Sequence, residues 1–228
     1  MKIAAIVPAA GRGARLRSRV PKPFVRLLGK PLLVHTLENL SAAFPFAEIL
    51  VAVDPSKMAA ARRLLGGRRL RAPVRVVAGG RTRAESVRNA VSQASAGCDW
   101  VLIHDAARPF VSAALVRSVV RAARGSGAAL CALPVTSTVK RAGPGLTVRA
   151  TEDRRTLYLA QTPQVFRKTL LADRFRAAGA AASGATDEAA LFDGSKVRVR
   201  LVPGESRNIK ITTPEDLELF GYYSRKRG

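Results

Sequence analysis

Short, nearly all-apolar runs alternate along the chain with segments whose apolar residues recur at three- and four-residue spacing. Ile3–Val7, Ile49–Val53, Val74–Val77, Trp100–Ile103 and Ala128–Val135 read as buried strands of a parallel type, covered on both faces. Helices are predicted between them, over Pro31–Leu40, Ser56–Leu65, near Thr82–Ala94 and over Ala113–Ala123. Pro31 suits a first helical position, where its missing N–H costs nothing, and Ser112 suits an N-cap. Further on come helices near Lys168–Ala181 and Asp187–Phe192, a strand at Val197–Val202, and a last helix opened by Thr213-Pro214-Glu215. Strand and helix in alternation predict one α/β domain over residues 1–228, its mostly parallel sheet covered by helices on both faces.

The pattern changes between Thr136 and Thr156. Alternation is short, Gly143-Pro144-Gly145 makes a tight turn, and charged residues crowd both sides. This segment, at about 136–156, reads as a protruding two-stranded β-arm. Such a hairpin is marginal alone in water and needs a partner surface, for which a second subunit is the expected source.

With 228 residues, 47% of them hydrophobic, the chain can build one sizeable core. No apolar run reaches the roughly 18 residues of a membrane span, and Met1-Lys2 leads at once into strand-like sequence rather than a secretory leader. Cys98 and Cys131 lack C-x-x-C spacing and read as small core residues, so a reducing cytoplasm is expected. The formal charge of +23 invites a nucleic-acid reading. Yet the excess is dispersed, includes helix faces such as Arg117, Arg121 and Arg124, and is accompanied by one Trp and three Tyr for base stacking. Neither a nucleic acid nor a membrane is expected as partner; small anionic substrates would be steered by the same field.

The candidate chemistry starts at Pro8-Ala9-Ala10-Gly11-Arg12-Gly13, directly after the first strand, followed by Arg15, Arg17, Arg19 and Lys22. Glycine-rich turns can present backbone N–H groups to phosphate, and cationic side chains neutralise it. The common phosphate motifs do not fit. The third glycine of G-x-G-x-x-G falls on Leu16, and Gly29-Lys30 is followed by Pro31, with Phe24 at the first glycine position of a P-loop. Four clusters join this loop. Gly79-Gly80-Arg81-Thr82-Arg83-Ala84-Glu85-Ser86 puts a glycine turn before a helix N-terminus, His104-Asp105-Ala106-Ala107-Arg108-Pro109 follows a strand, Ala160-Gln161-Thr162-Pro163-Gln164 lies at another strand end, and Asn208-Ile209-Lys210 brings a late lysine.

The ordered set PAAGRG, PK, GGRTRAES, HDAARP, TPQ, TDEA and NIK resembles the 2-C-methyl-D-erythritol 4-phosphate cytidylyltransferase family over essentially the whole chain. Two positions depart from the family pattern. Pro23 stands where Gln is common, and Arg81 occupies a place often acidic. The resemblance implies a Rossmann-like sheet with a β-arm exchanged across a homodimer, and transfer of a cytidylyl group from CTP to 2-C-methyl-D-erythritol 4-phosphate with release of pyrophosphate. It implies that Pro8, Ala9, Ala10, Gly11, Gly13, Gly80, Ser86 and Ala106 bind the nucleotide. Arg15, Lys22 and Lys210 would be catalytic cations and Asp105 would hold Mg²⁺. Arg108, Thr138, Arg154, Thr162 and Thr186 would line the acceptor site, some donated by the other subunit.

Chemistry supports the same arrangement. A phosphate monoester has a second pKa near ~6 and is largely ionised at neutral pH, so attack needs no general base. The catalyst must instead supply cations where charge builds up, and one carboxylate with substrate phosphates suffices for Mg²⁺. Other readings stay open. Asp105 fits a turn cap as well as a metal ligand, and Arg154 fits a charged arm surface as well as a phosphate contact. His35 and His104 are read as structural. Ribitol 5-phosphate is an alternative acceptor, and a non-enzymatic basic protein the third reading.

Overall fold

The computed structural model describes residues 1–11, 16 and 20–225. Among these, seven strands form one sheet: β1 (Ile3–Pro8), β4 (Glu48–Val53), β5 (Val74–Ala78), β6 (Trp100–Ile103), β7 (Ala128–Pro134), β10 (Tyr158–Arg167) and β11 (Arg200–Pro203). Their order is β11-β7-β10-β6-β1-β4-β5. The pairs β6–β1, β1–β4, β4–β5 and β7–β11 are parallel, while β10 runs antiparallel to both β6 and β7. The short strands β2 (Arg26–Leu27) and β3 (Lys30–Pro31) pair apart from it, as do β8 (Lys140–Ala142) and β9 (Val148–Thr151).

Side-chain alternation along β1 divides the core in two. Ile3, Ala5 and Val7 point to one face, where Leu33, Leu37 and Leu40 of α1 (Leu32–Ala43) and Val116, Val119 and Val120 of α4 (Ala113–Ser126) cover them, with Ala61 of α2 (Met58–Leu65). Ala4 and Ile6 point to the other, under Val87, Ala90 and Val91 of α3 (Arg83–Gln93) and Leu171 and Phe175 of α5 (Lys168–Ala178). Burial on both faces explains why these strands are apolar throughout rather than alternating. A third cluster gathers Leu16, Leu32, Ala107, Phe110 and Ile211 around Phe220 of the last helix, α6 (Pro214–Arg225).

Local signals set the element ends. The Ser112 hydroxyl accepts from the N–H of Leu115 at 3.0 Å, and Gly127 closes α4 at φ 84°, where a side chain would be strained. The Thr82 hydroxyl caps α3 by accepting from Glu85 N–H. Some expected boundaries move. Pro31 is the N-cap of α1 rather than its first residue, and the Ser56 region opens as a 3₁₀ turn (Pro55–Lys57) before α2. The segments after α5, Gly179–Gly184 and Ala189–Phe192, are also 3₁₀. The last strand is Arg200–Pro203, because Val197 and Val199 pack into the second cluster from non-strand chain. The Thr136–Thr156 segment contains β8 and β9 as a separate antiparallel pair with exposed residues throughout both strands.

β1 is the point where the strand order reverses: the chain steps from β1 outward to β4 and β5, then returns to β6 on the other side. In an open parallel sheet the crevice outside the carboxyl ends at such a point is where ligands bind. The Pro8–Gly11 loop, Gly79-Gly80 and His104-Asp105 all emerge there.

Candidate active site

Two adjoining pockets occupy this end of the sheet. The first is lined by Pro8, Ala9, Ala10, Gly11, Lys22, Gly80, Ser86, Asp105, Ala106 and Lys210, all expected from the sequence, and also by Arg81, Thr82 and Arg83. The second is lined by Arg108, Thr162 and Thr186, with Gln161, Gln164 and Asp187. Arg83, Asp105 and Lys210 belong to both and form a shared wall. Of the remaining candidates, Gly13 and Arg15 lie outside the described residues. Thr138 and Arg154 line neither pocket; the Arg154 guanidinium instead donates to the Thr136 carbonyl.

The glycine turn before α3 is sterically required. A Cβ on Gly80 would sit 2.3 Å from the Cβ of Glu85, and one on Gly79 would come within 3.1 Å of the Ala10 Cβ. Gly80 N–H donates to the Ser86 hydroxyl at 2.9 Å, while Arg81 N–H donates to Glu85 Oε2 at 2.8 Å. That backbone bond is the chief reason the half-buried Glu85 carboxyl titrates below its ordinary range.

Asp105 anchors the wall. Among the described residues, three cations surround its buried carboxylate: Arg83 Nε at 3.2 Å from Oδ1, Lys210 Nζ at 2.9 Å from Oδ2, and Arg108 Nε at 3.5 Å from Oδ2. The Arg108 Nε separation is that of an ion pair without a hydrogen bond, since its Nη1 donates instead to the Asn208 carbonyl at 2.8 Å. Burial alone would raise the Asp105 pKa; Arg83, Lys210 and Arg108 together hold it far below the carboxylate range. Burial lowers the Arg108 pKa against the pull of Asp105.

Behind Asp105 the hydrogen bonds run in one direction. Asp105 N–H donates to the Thr162 hydroxyl at 3.0 Å, which lies 3.1 Å from Nδ1 of His104, and His104 Nε2 lies 2.9 Å from the Arg108 carbonyl. A carbonyl can only accept, so Nε2 carries the proton and Nδ1 accepts from Thr162. Burial keeps this ring neutral by lowering its pKa to about 4. His104 thus orients the Asp105–Arg108 turn. His35 is bonded to the Leu27 carbonyl at 2.8 Å and stands edge-on to Phe220.

Lys210 reaches the wall because its segment is fastened from behind. Fully buried Asn208 donates to the Thr162 carbonyl at 2.8 Å, and Ile211 N–H donates to the Ala107 carbonyl at 2.8 Å. In the sequence Asn208 stands out only as part of Asn208-Ile209-Lys210, and nothing there marks a role for Arg83 or Glu188. Arg83 Nη1 donates to Glu188 Oε1 at 2.7 Å, so its guanidinium joins two carboxylates. Burial works against the Arg83 charge, but Glu188 and Asp105 raise its pKa above the ordinary arginine value. Glycines at a helix start were a usable signal for this region; a partner brought from a distant loop was not.

A parallel-sheet crevice with a glycine turn at a helix start, lined by Lys22 and Lys210, suits the phosphates of a nucleotide. The comparison with known proteins names the family. The chain belongs to the 2-C-methyl-D-erythritol 4-phosphate cytidylyltransferase family (IspD), whose family model matches residues 3–226. It is 41% identical to the 2-C-methyl-D-erythritol 4-phosphate cytidylyltransferase of Solibacter usitatus, covering 99% of this chain and 97% of that protein. It is 47% identical to a bifunctional enzyme IspD/IspF of Anaeromyxobacter sp., covering 95% of this chain but only 55% of that relative. The crystal structure of 4-diphosphocytidyl-2C-methyl-D-erythritol synthase from Anaerococcus prevotii superposes with a TM-score of 0.85 at 30% identity, over 98% of each chain. That of 2-C-methyl-D-erythritol 4-phosphate cytidylyltransferase from Thermus thermophilus gives 0.78 at 36%, over 99% of this chain and 100% of that one.

Proposed function

We propose that the first pocket holds CTP, the second holds 2-C-methyl-D-erythritol 4-phosphate, and the two phosphates meet at the shared wall. The single observation that carries this reading is that Arg83, Asp105 and Lys210 line both pockets. An oxygen of the acceptor's phosphate attacks the α-phosphorus of CTP; that P–O bond forms as the bond to the β-phosphate breaks, giving 4-diphosphocytidyl-2-C-methyl-D-erythritol and pyrophosphate. The nucleophile is already ionised. What the chain must do is hold two polyanions together, and Lys22 and Lys210 supply positive charge where it accumulates, with Arg15 assigned the same task from the loop.

Pro8, Ala9, Ala10, Gly11, Gly13, Gly80, Ser86 and Ala106 are assigned to the nucleotide. Arg108, Thr162 and Thr186 are assigned to the acceptor, and Thr138 and Arg154 to the acceptor of a second subunit through exchanged arms in a homodimer. A hard oxygen ligand at Asp105 suits Mg²⁺. No cluster of three or more His, Cys, Asp or Glu side chains that could cage a metal exists among the described residues, so the remaining ligands would be phosphate oxygens and water. The donor set therefore fits a cation that arrives with the triphosphate, with Asp105 as its protein ligand once Lys210 turns to phosphate. When bound, Mg²⁺ would neutralise phosphate charge.

No helix among the described residues is long and apolar enough to cross a membrane, and Cys98 and Cys131 are buried free thiols that suit a cytoplasmic setting. The test is pyrophosphate release from CTP, UTP, ATP and GTP with 2-C-methyl-D-erythritol 4-phosphate or ribitol 5-phosphate, with and without Mg²⁺. Release confined to CTP, Mg²⁺ and the methylerythritol acceptor supports the assignment. Preference for ribitol 5-phosphate would replace the acceptor, and no turnover with either would reject the reading.

A further inference from the structure

We propose that Glu188 is a positioning residue for the transfer step, acting through Arg83, an inference that rests on the two-pocket reading above. Glu188 follows Thr186 and Asp187, which line the acceptor pocket, yet it does not line that pocket itself and is almost wholly buried. One of its oxygens receives Arg83 Nη1 at 2.7 Å; the other has no hydrogen-bond partner. Burying a carboxylate with an unsatisfied oxygen is unfavourable, and a well-packed apolar pair of similar volume would stabilise at least as well. The burial raises the Glu188 pKa against the pull of Arg83. Stability alone does not account for this pair.

The geometry of Arg83 supplies the reason. A guanidinium beside one carboxylate takes up a bidentate grip with two parallel N–H bonds. Here the fork is divided: Nε goes to Asp105 Oδ1 and Nη1 to Glu188 Oε1. Glu188 thereby limits Arg83 to one hydrogen bond on Asp105 and fixes the plane of the guanidinium in the wall between the pockets. Without that second anchor, Arg83 is free to close on Asp105 with both nitrogens and withdraw from the phosphates.

A second link ties the same loop to the nucleotide side. The Ser183 hydroxyl donates to Glu85 Oε1 at 3.2 Å, and the other oxygen of Glu85 receives Arg81 N–H of the first pocket. On the acceptor side the loop is held to β10, where Gln164 Nε2 donates to Asp187 Oδ2 at 2.8 Å. Glu188 therefore sits where one loop is fastened to both halves of the site. It touches neither ligand pocket itself, and its influence passes through Arg83.

The experiment is steady-state kinetics on Glu188→Gln, Arg83→Lys and the double variant, with folding checked by circular dichroism. Glutamine keeps the shape and an acceptor oxygen but removes the charge, while lysine keeps the charge but cannot span two carboxylates. Misplacement of a positioned group costs up to roughly 10²-fold in rate, so a fall in kcat of about 10- to 100-fold is expected in each single variant. KM for CTP should stay within about threefold, because the lost interaction belongs to the transition state rather than to binding. If Glu188 acts through Arg83, the double variant should be no worse than the poorer single one.

Full kcat in folded Glu188→Gln, or losses that multiply in the double variant, would overturn the proposal. Should Glu188→Gln fail to fold, Glu188→Asp decides: a carboxylate one methylene too short to hold Arg83 should lower kcat at constant KM, and unchanged kcat overturns the proposal. Wild-type enzyme in the same assay separates the two levels, since its inactivity on CTP and 2-C-methyl-D-erythritol 4-phosphate would reject the functional reading itself.

Discussion

Lys210 Nζ lies 2.9 Å from Asp105 Oδ2, joining the segment before the last helix to the carboxyl end of β6. The two partners differ in exposure: the Lys210 side chain is 40% accessible and that of Asp105 only 9%. The lysine is therefore the partner free to turn toward an incoming phosphate, while Asp105 keeps Arg83 and Arg108. Lys210→Met should fold normally and lose roughly 10²–10³ in kcat, the scale for removing one preorganised charge contact. Stopped-flow or steady-state pyrophosphate release measures it, and turnover within a few-fold of wild type would remove Lys210 from the mechanism.

Gly80 makes a sharper steric prediction. An alanine Cβ there would meet the Glu85 Cβ at 2.3 Å, a contact that only movement of the α3 start can relieve. Overpacking of this kind costs typically about 1–3 kcal/mol. Gly80→Ala should lower the melting temperature and raise KM for CTP at least several-fold, because the Arg81 N–H bond to Glu85 moves with it. An alanine variant with wild-type KM would mean that the turn does not face the nucleotide.

His104 carries the pH prediction. Its folded pKa is lowered from the ordinary 6.5 to about 4, so the native state resists the proton that the unfolded chain accepts. The contribution is intact above pH 6.5 and is lost as pH falls through that value to about 4, amounting to about 3 kcal/mol. Urea unfolding between pH 7 and 4 should show this decline, and an imidazole NMR titration should place the His104 midpoint near the lower end. A His104 titrating at its ordinary value would contradict the buried Thr162–His104–Arg108 arrangement.

The proposed sharing of sites through the arm makes the last prediction. β8 and β9 form their own pair with exposed residues throughout, and Leu146 between them is 92% accessible. Mixing Lys22→Ala subunits with Arg154→Ala subunits should restore activity at one composite site per heterodimer, although each homodimer is nearly inactive. Confirmed subunit exchange with no recovery would assign the arm a different task.

How far these features were legible in the sequence depended on how local their causes are. The buried strands, the Ser112 cap and the Gly79-Gly80 turn follow from neighbouring residues, and the structure has all three. The full ten-residue extent of β10 did not, because the polar Gln161-Thr162-Pro163-Gln164 stretch at its centre reads as a strand end and its antiparallel direction has no local signature. Arg83 and Glu188 were unreadable as a pair for a related reason. Each stands in an ordinary polar motif, and only the packing of the loop after α5 onto α3 brings them together.

The partition between the two pockets is a single layer of side chains, Arg83, Asp105 and Lys210. A layer that thin makes the enzyme open to one molecule occupying both compartments. Such a bisubstrate ligand would lose its rigid-body freedom once, where two separate ligands lose it twice. Its second half would bind at an effective concentration set by a tether no longer than the reacting phosphates themselves. The same closeness that lets two phosphates react would make a stable mimic that spans both compartments, and still carries the triphosphate charge the product has lost, a tighter ligand than either substrate.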